Sequence, residues 1–212
     1  MKTMIAMPCM DMMHTRFVAS LTGLRLSGEV QFFYSESSLV YDSRNTVSKK
    51  AIADGFDRVL WLDSDMTFAP DTFERLSKHL DEGRDFVCGF YVTRKPPFKP
   101  CIYKDVGLTI DKEKNEGTPR AETYFDYPKD SLFEIAACGF GGVMMTVDLL
   151  KEVDKKCGIP FSPIYGFGED LSFCIRTKEL GHTMYCDSSI KFGHVGLMTF
   201  TEEILGGTLC IK

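Results

Sequence analysis

Two carboxylates around one serine close an apolar run. In VLWLDSDMTF, residues 59–68, Val59 to Leu62 lead directly into Asp63, Ser64 and Asp65. Alternation along a strand would send Asp63 and Asp65 off the same side. Carboxylates that close repel unless a cation or a proton lies between them. Oxygen donors with water suit Mg2+ or Mn2+, and such an ion would serve a phosphorylated ligand. The rival reading is a solvated turn, because Asp-Ser-Asp is a common short string.

Other segments carry groups of the same kind. Arg44, in YDSRN, opens a helix, where its guanidinium can hold a phosphate through two parallel hydrogen bonds or lie on the surface. CGFGGVMMT has glycines at 139, 141 and 142, which permit close backbone approach or mark a bulge. GEDLSFCIRTKELG places Glu169 and Asp170 in a first helical turn, as cap residues or as an anion held ready to accept a proton. His194, in KFGHVG, is a structural histidine or a neutral ligand that joins carboxylates without adding negative charge. Trp61 shares the face of Asp63 and is expected to pack, not to stack on a base. His79 falls on an amphipathic helix and is expected to be solvated.

The elements that must position these groups alternate. TMIAMPC, VQFFYS, RVLWLD and FVCGFYV read as strands, and helical spacing over 14–27, 41–54 and 70–83 separates them. The order β-α-β-α-β-α-β implies right-handed crossovers and a mainly parallel sheet, an α/β fold with flanking helices. The third strand then delivers the aspartates at its carboxyl end, the edge where open α/β sheets bind ligands. The pattern breaks over 93–131, a proline-rich excursion with the polar turn DKEKNEG, read as a hairpin. FEIAACGFGGVMMT resumes the core, 168–181 is a further helix and HTMYCDSSI a last strand.

Composition narrows the class. The chain has 212 residues, 44% hydrophobic and 26% charged, as for one soluble domain. No apolar run is long enough to cross a bilayer, and Pro8 and Asp11 interrupt the first one, so a cytoplasmic protein is expected. The eight cysteines have no CxxC spacing and read as reduced thiols. A net charge of −5 with no basic block disfavours general nucleic-acid binding. An acidic protein that takes an anionic ligand needs a local reversal of sign, which a metal ion supplies.

The run from YDSRN through WLDSDM, CGFGGVMMT, GEDLSFCIRTKELGH and KFGHVG resembles the GT-A fold glycosyltransferases, closest to the family 2 type and its small phage and bacterial relatives. The resemblance implies a Rossmann-like, mainly parallel sheet in a single domain spanning 1–212. Residues 1–92 would form the nucleotide-binding half, and 93–212 the acceptor half and carboxy-terminal segment. It implies a hexosyltransferase-type enzyme that uses Mn2+ or Mg2+ to move a sugar from a nucleotide diphosphate, UDP first, to an unidentified acceptor hydroxyl. The residues carried over are Asp63, Asp65 and His194 for the metal. Pro8, Cys9, Met10, Arg44, Asp63, Ser64, Gly141, Gly142 and Glu169 would serve the nucleotide-sugar. Asp170 would be the base of an inverting reaction. No family counterpart is evident for 93–131 or for the tail after Gly196. The alternatives are a sugar-phosphate nucleotidyltransferase, disfavoured because PCMDMMHT lacks a glycine-rich phosphate loop, and a non-catalytic nucleotide- or cation-binding domain.

Overall fold

The computed structural model describes residues 1–111 and 116–196. The centre of DKEKNEG and the tail after Gly196 therefore lie outside the described residues. In chain order the elements are β1 (Lys2–Cys9), α1 (Thr15–Thr22), β2 (Glu29–Glu36), α2 (Val40–Ala53), β3 (Arg58–Leu62), β4 (Met66–Thr67), α3 (Thr72–Asp81) and β5 (Phe86–Phe90). They continue with β6 (Ile102–Asp111), β7 (Glu116–Thr123), β8 (Leu132–Ile135), β9 (Ala137–Cys138), β10 (Gly142–Thr146), α4 (Val147–Cys157), α5 (Glu169–Glu179), β11 (Met184–Lys191) and β12 (Gly193–His194).

Seven strands form the main sheet in the order β2-β1-β3-β10-β5-β11-β8. β1 pairs in parallel with β2 and β3, and β5 with β11. β10 runs antiparallel between β3 and β5, and β8 antiparallel to β11. This is the mainly parallel α/β sheet that the alternating pattern implies, with β10 threaded between the third and fourth strands of that pattern.

The continuous apolar run of β3 has a simple cause. Val59 and Trp61 enter the core beneath α2, α4 and α5, while Leu60 and Leu62 enter the one against α1 and α3. A strand covered on both faces needs apolar side chains at every position. α4 was not anticipated. Val147, Leu149, Leu150 and Val153 form its buried stripe, the Thr146 hydroxyl caps it by accepting from the Leu149 amide, and Gly158 ends it in the left-handed region. β6 and β7 form the anticipated hairpin and join β9 in a separate three-stranded sheet. His79 departs from the solvated reading: its Nε2 meets Asp187 Oδ2 at 2.9 Å, because β11 brings that carboxylate under α3.

Close packing at the sheet centre depends on Gly89. A Cβ there would lie 2.8 Å from the Ile190 carbonyl oxygen and closer still to the Phe192 ring. Gly89→Ala is expected to lower stability by about 1–3 kcal/mol, the usual cost of overpacking, measured by urea unfolding. A midpoint equal to the parent's would show that β5 and β11 yield freely.

Candidate functional site

At the carboxyl edge of the parallel strands, six segments converge. They are the end of β1, the approach to and start of α2, the turn after β3, the residues after β5, Phe140 before β10 and the start of α5. They enclose a cavity of about 420 Å³. Its lining contains Pro8, Cys9, Met10, Arg44, Asp63, Ser64, Asp65, Glu169 and Asp170. Ser37, Ser38, Val40, Tyr91, Arg94 and Phe140 also line it and were missed by sequence reasoning. Tyr91 and Arg94 follow β5 directly, so the rule that ligands bind at strand carboxyl ends could have found them.

β3 stops at Leu62, and Asp63, Ser64 and Asp65 form a turn before β4. Without strand alternation the two aspartates take different partners. Asp63 accepts from Arg44, Nη2 to Oδ1 2.8 Å, and the Arg44 Nε lies 3.3 Å from Glu169 Oε1. Arg44 is only 2% exposed, with its guanidinium 5.2 Å from the centroid of Phe140 and 5.6 Å from that of Trp61. It is thus an internal counter-ion, joining α2, the turn after β3 and α5, and not a surface arginine. Trp61 packs against Phe140 and Phe161, fully buried, as its strand position suggested. Arg44 Nη1 and Trp61 Nε1 have no partner among the described residues.

Asp65 faces the other way, to Arg94 and His194. His194 Nε2 lies 3.4 Å from Asp65 Oδ2, and Nδ1 lies 3.0 Å from the Val92 carbonyl oxygen. A carbonyl can only accept, so Nδ1 carries a proton and Nε2 is the nitrogen turned to Asp65. β12 holds this geometry by pairing with β4, His194 opposite Met66, and the Val195 amide donates to the Asp65 carbonyl. A carbonyl that fixes the far nitrogen of a histidine is the usual support of a metal ligand. No group of three or more metal-binding side chains occurs among the described residues. The facing carboxylate and imidazole fit a divalent cation that leaves most of its coordination sphere to phosphate oxygens and water. Against burial, His194 and then Arg94 hold the Asp65 carboxyl below its ordinary range, and the hydrogen bond to Asp65 raises the His194 imidazole.

Gly141 and Gly142 lie behind the cavity wall. A Cβ on Gly141 would press on Met66 and on the ring of Tyr91, at 3.0 and 3.1 Å, and one on Gly142 would overlap Phe192. Gly139 leaves room for the Tyr91 hydroxyl. The glycine segment is therefore shaped around Tyr91, whose oxygen accepts from the Gly141 amide at 3.2 Å. Tyr91 in turn meets His194 edge-on, with centroids 5.5 Å apart. The Gly141 carbonyl accepts from the Asp63 amide, so this segment ties the aspartate turn to Tyr91.

Asp170 stands in the first turn of α5 and lines the cavity. Its Oδ1 accepts from the Leu171 amide at 2.7 Å, and Gly168, the residue before the helix, makes no side-chain cap. Burial, aided by the neighbouring charge of Glu169, pushes the Asp170 carboxyl up to about 6. A carboxylate raised to that value is a stronger base than a solvated one and is still ionised at neutral pH.

Comparison with known proteins follows the same lines. The model of the family described as Glycosyl transferase family 2 matches residues 26–150. Among solved structures, A197 from STIV is similar with a TM-score of 0.65 and 18% identity, over 93% of this chain and 87% of that one. The structure described as GalNAc-T7 with UDP, GalNAc and Mn2+ is similar with a TM-score of 0.60 and 9% identity, over 93% of this chain and 43% of that one. At these identities the two likenesses are of fold. This chain spans less than half the length of the second. No curated protein matches the sequence.

Proposed function

This chain belongs to glycosyl transferase family 2, and from that membership we propose a metal-assisted, inverting transfer of a hexosyl group from a UDP-sugar to an acceptor hydroxyl. The observation that carries the reading is Asp170, a carboxylate of raised basicity in the same cavity as Asp63 and Asp65. Residues 1–92 serve the donor. Pro8, Cys9 and Met10 border the nucleotide, Ser64 and Asp63 the ribose or sugar, and Asp65 and His194 the divalent cation. Residues 93–212 supply the acceptor side. Held by Asp65 and His194, Mn2+ or Mg2+ would neutralise the charge that develops on the leaving diphosphate.

The chain's own residues perform the remaining work. Asp170 takes the proton of the acceptor hydroxyl as the oxygen forms its bond to the anomeric carbon. The bond to the diphosphate oxygen breaks on the opposite face, and the configuration inverts. Glu169, paired with Arg44, holds the start of α5 against the turn that carries Asp63. Gly141, through Tyr91, sets the cavity floor on which the sugar rests, and Gly142 leaves room for Phe192 behind it. No described helix is long and apolar enough to cross a membrane, so the reading requires no membrane span among the described residues.

Incubation with UDP-glucose, UDP-galactose, UDP-GlcNAc and GDP-mannose in Mn2+ tests the reading. Slow release of UDP or GDP supports it, whereas pyrophosphate released from a nucleoside triphosphate and a sugar phosphate would favour a nucleotidyltransferase. Asp65→Asn is expected to weaken Mn2+-dependent UDP binding by about 10–100-fold or more, with the thermal transition of the free protein preserved. UDP binding as tight as the parent's, in the same metal, would remove Asp65 from the metal site.

A further inference from the structure

Past β3 and β10, at the carboxyl ends of β5 and β11, the same edge of the sheet holds another cavity, of about 330 Å³. Among the described residues its lining includes Phe90, Tyr91, Tyr127, Lys129, Asp130 and Lys191. Tyr91 borders this cavity and the one that holds Asp170. Its hydroxyl stands close to that carboxylate: a Cβ on Gly139 would overlap the hydroxyl and lie 3.7 Å from Asp170 Oδ2. The outer wall is pinned in place. The Ser188 hydroxyl, on β11 and 1% exposed, donates to the Pro128 carbonyl at 2.7 Å and accepts from the Ser131 amide at 3.1 Å. Between them Asp130 takes a φ of +46°, which aspartate tolerates better than most residues. Phe90 and Tyr127 stack, with centroids 4.4 Å apart. Lys129 Nζ lies 3.5 Å from the centroid of Tyr127, and Lys191 pairs with Asp130 at 2.8 Å, both side chains exposed.

We propose that this cavity seats one ring of a carbohydrate acceptor, so that the reaction extends a glycan chain. The inference rests on the transferase reading given above and names its acceptor. A sugar ring has an apolar C–H face and a rim of hydroxyls. It asks for an aromatic face beside groups that donate and accept hydrogen bonds. Tyr127 supplies the face. Lys129 covers it in this structure, but an exposed cation–π contact is weak and is given up readily. Lys191 and Asp130 set a donor and an acceptor side by side, in a surface ion pair that costs little to open. Neighbouring hydroxyls of one ring can bridge them. A lipid tail would gain nothing from these three charged groups and would strip them of water. Tyr127 lines this cavity and not the one that holds Asp170. The hydroxyl that reacts at Asp170 therefore belongs to a neighbouring unit of the same chain, and the acceptor has two or more sugars.

Titration with chitotriose, cellotriose, maltotriose and mannotriose, in saturating UDP and Mn2+, tests this without turnover. At least one trisaccharide should shift the amides of 127–131 and 188–192. Tyr127→Ala should weaken that trisaccharide about tenfold, whereas Tyr127→Phe, which keeps the ring, should bind it within about twofold of the parent. Asp130→Gly removes a hydrogen-bond acceptor at a backbone position that glycine favours, so the fold is not at risk, and should weaken the trisaccharide about fivefold. UDP affinity should match the parent's in all three variants. UDP binding by the parent with no trisaccharide shifts at 127–131, or with parent-like trisaccharide affinity in both Tyr127→Ala and Asp130→Gly, overturns this inference alone. So does transfer to a lipid or peptide hydroxyl with none to any of the four trisaccharides. Failure of the parent to bind UDP overturns it together with the transferase reading.

Discussion

Asp170→Asn is expected to bind a UDP-sugar as the parent does and to lose transfer by about two to four orders of magnitude. Asparagine keeps the shape and can still accept from the Leu171 amide, but it cannot take a proton. In the parent, transfer should rise with pH through about 6, as the carboxylate forms, and then level off. The variant's residual rate should lack that rise.

Stability supplies an independent check, with its own sign. The Asp170 carboxyl is raised to about 6 from an ordinary 3.8. Between those values the folded protein holds a proton that the unfolded chain has released. Stability therefore falls as pH rises through that window, and the deficit persists above it. Asp170→Asn removes the buried charge and should gain on the order of 1–2 kcal/mol at neutral pH. A helix cap alone predicts no gain, because asparagine caps as well as aspartate and only the charge at the helix start is lost, with activity kept. Near-normal turnover, or a product with the donor's own anomeric configuration, would remove Asp170 from the role of base.

Arg44→Met is expected to cost about 3–5 kcal/mol, the usual result of stripping one partner from a buried ion pair. Asp63 and Glu169 would then face each other beside Asp170 with no cation between them. The Asp170 carboxyl should rise further, because Arg44 is one of the groups holding it down. Arg44→Lys cannot span both carboxylates with a single ammonium group and should recover only part of the loss. Urea unfolding measures the effect. A change under about 1 kcal/mol would mean that Arg44 behaves as a surface arginine.

The alternation of strands and helices, read from spacing alone, already implied the mainly parallel sheet and the edge on which ligands bind. The reason is local. A strand buried on both faces must be apolar throughout, as Val59 to Leu62 are, and a crossover helix must carry an apolar stripe, as Phe73, Leu76 and Leu80 do. The positions of Asp63, Asp65, Glu169 and Asp170 were legible for the same reason, since each lies within a few residues of an element's end. α4 was not legible because the apolar run of β10 passes into Val147, Leu149 and Leu150 with no glycine or proline to mark where strand becomes helix.

What each charged group faces could not be read from the chain, because partners are chosen across it. Arg44 and Glu169 meet over a separation of 125 residues, and nothing local to Arg44 distinguishes a buried counter-ion from a surface side chain. The two aspartates that alternation would set side by side diverge, because β3 ends one residue before the first of them. The glycines of 139–142 announced a close approach, but only packing identified Tyr91, Met66 and Phe192 as what approaches. Sequence determined the sheet, its ligand-binding edge and the residues delivered there, because local periodicity and element ends set those. Tertiary structure decided which carboxylate meets Arg44, which meets His194 and Arg94, and which is buried enough to be raised to about 6, because burial and charge pairing are properties of the assembled edge.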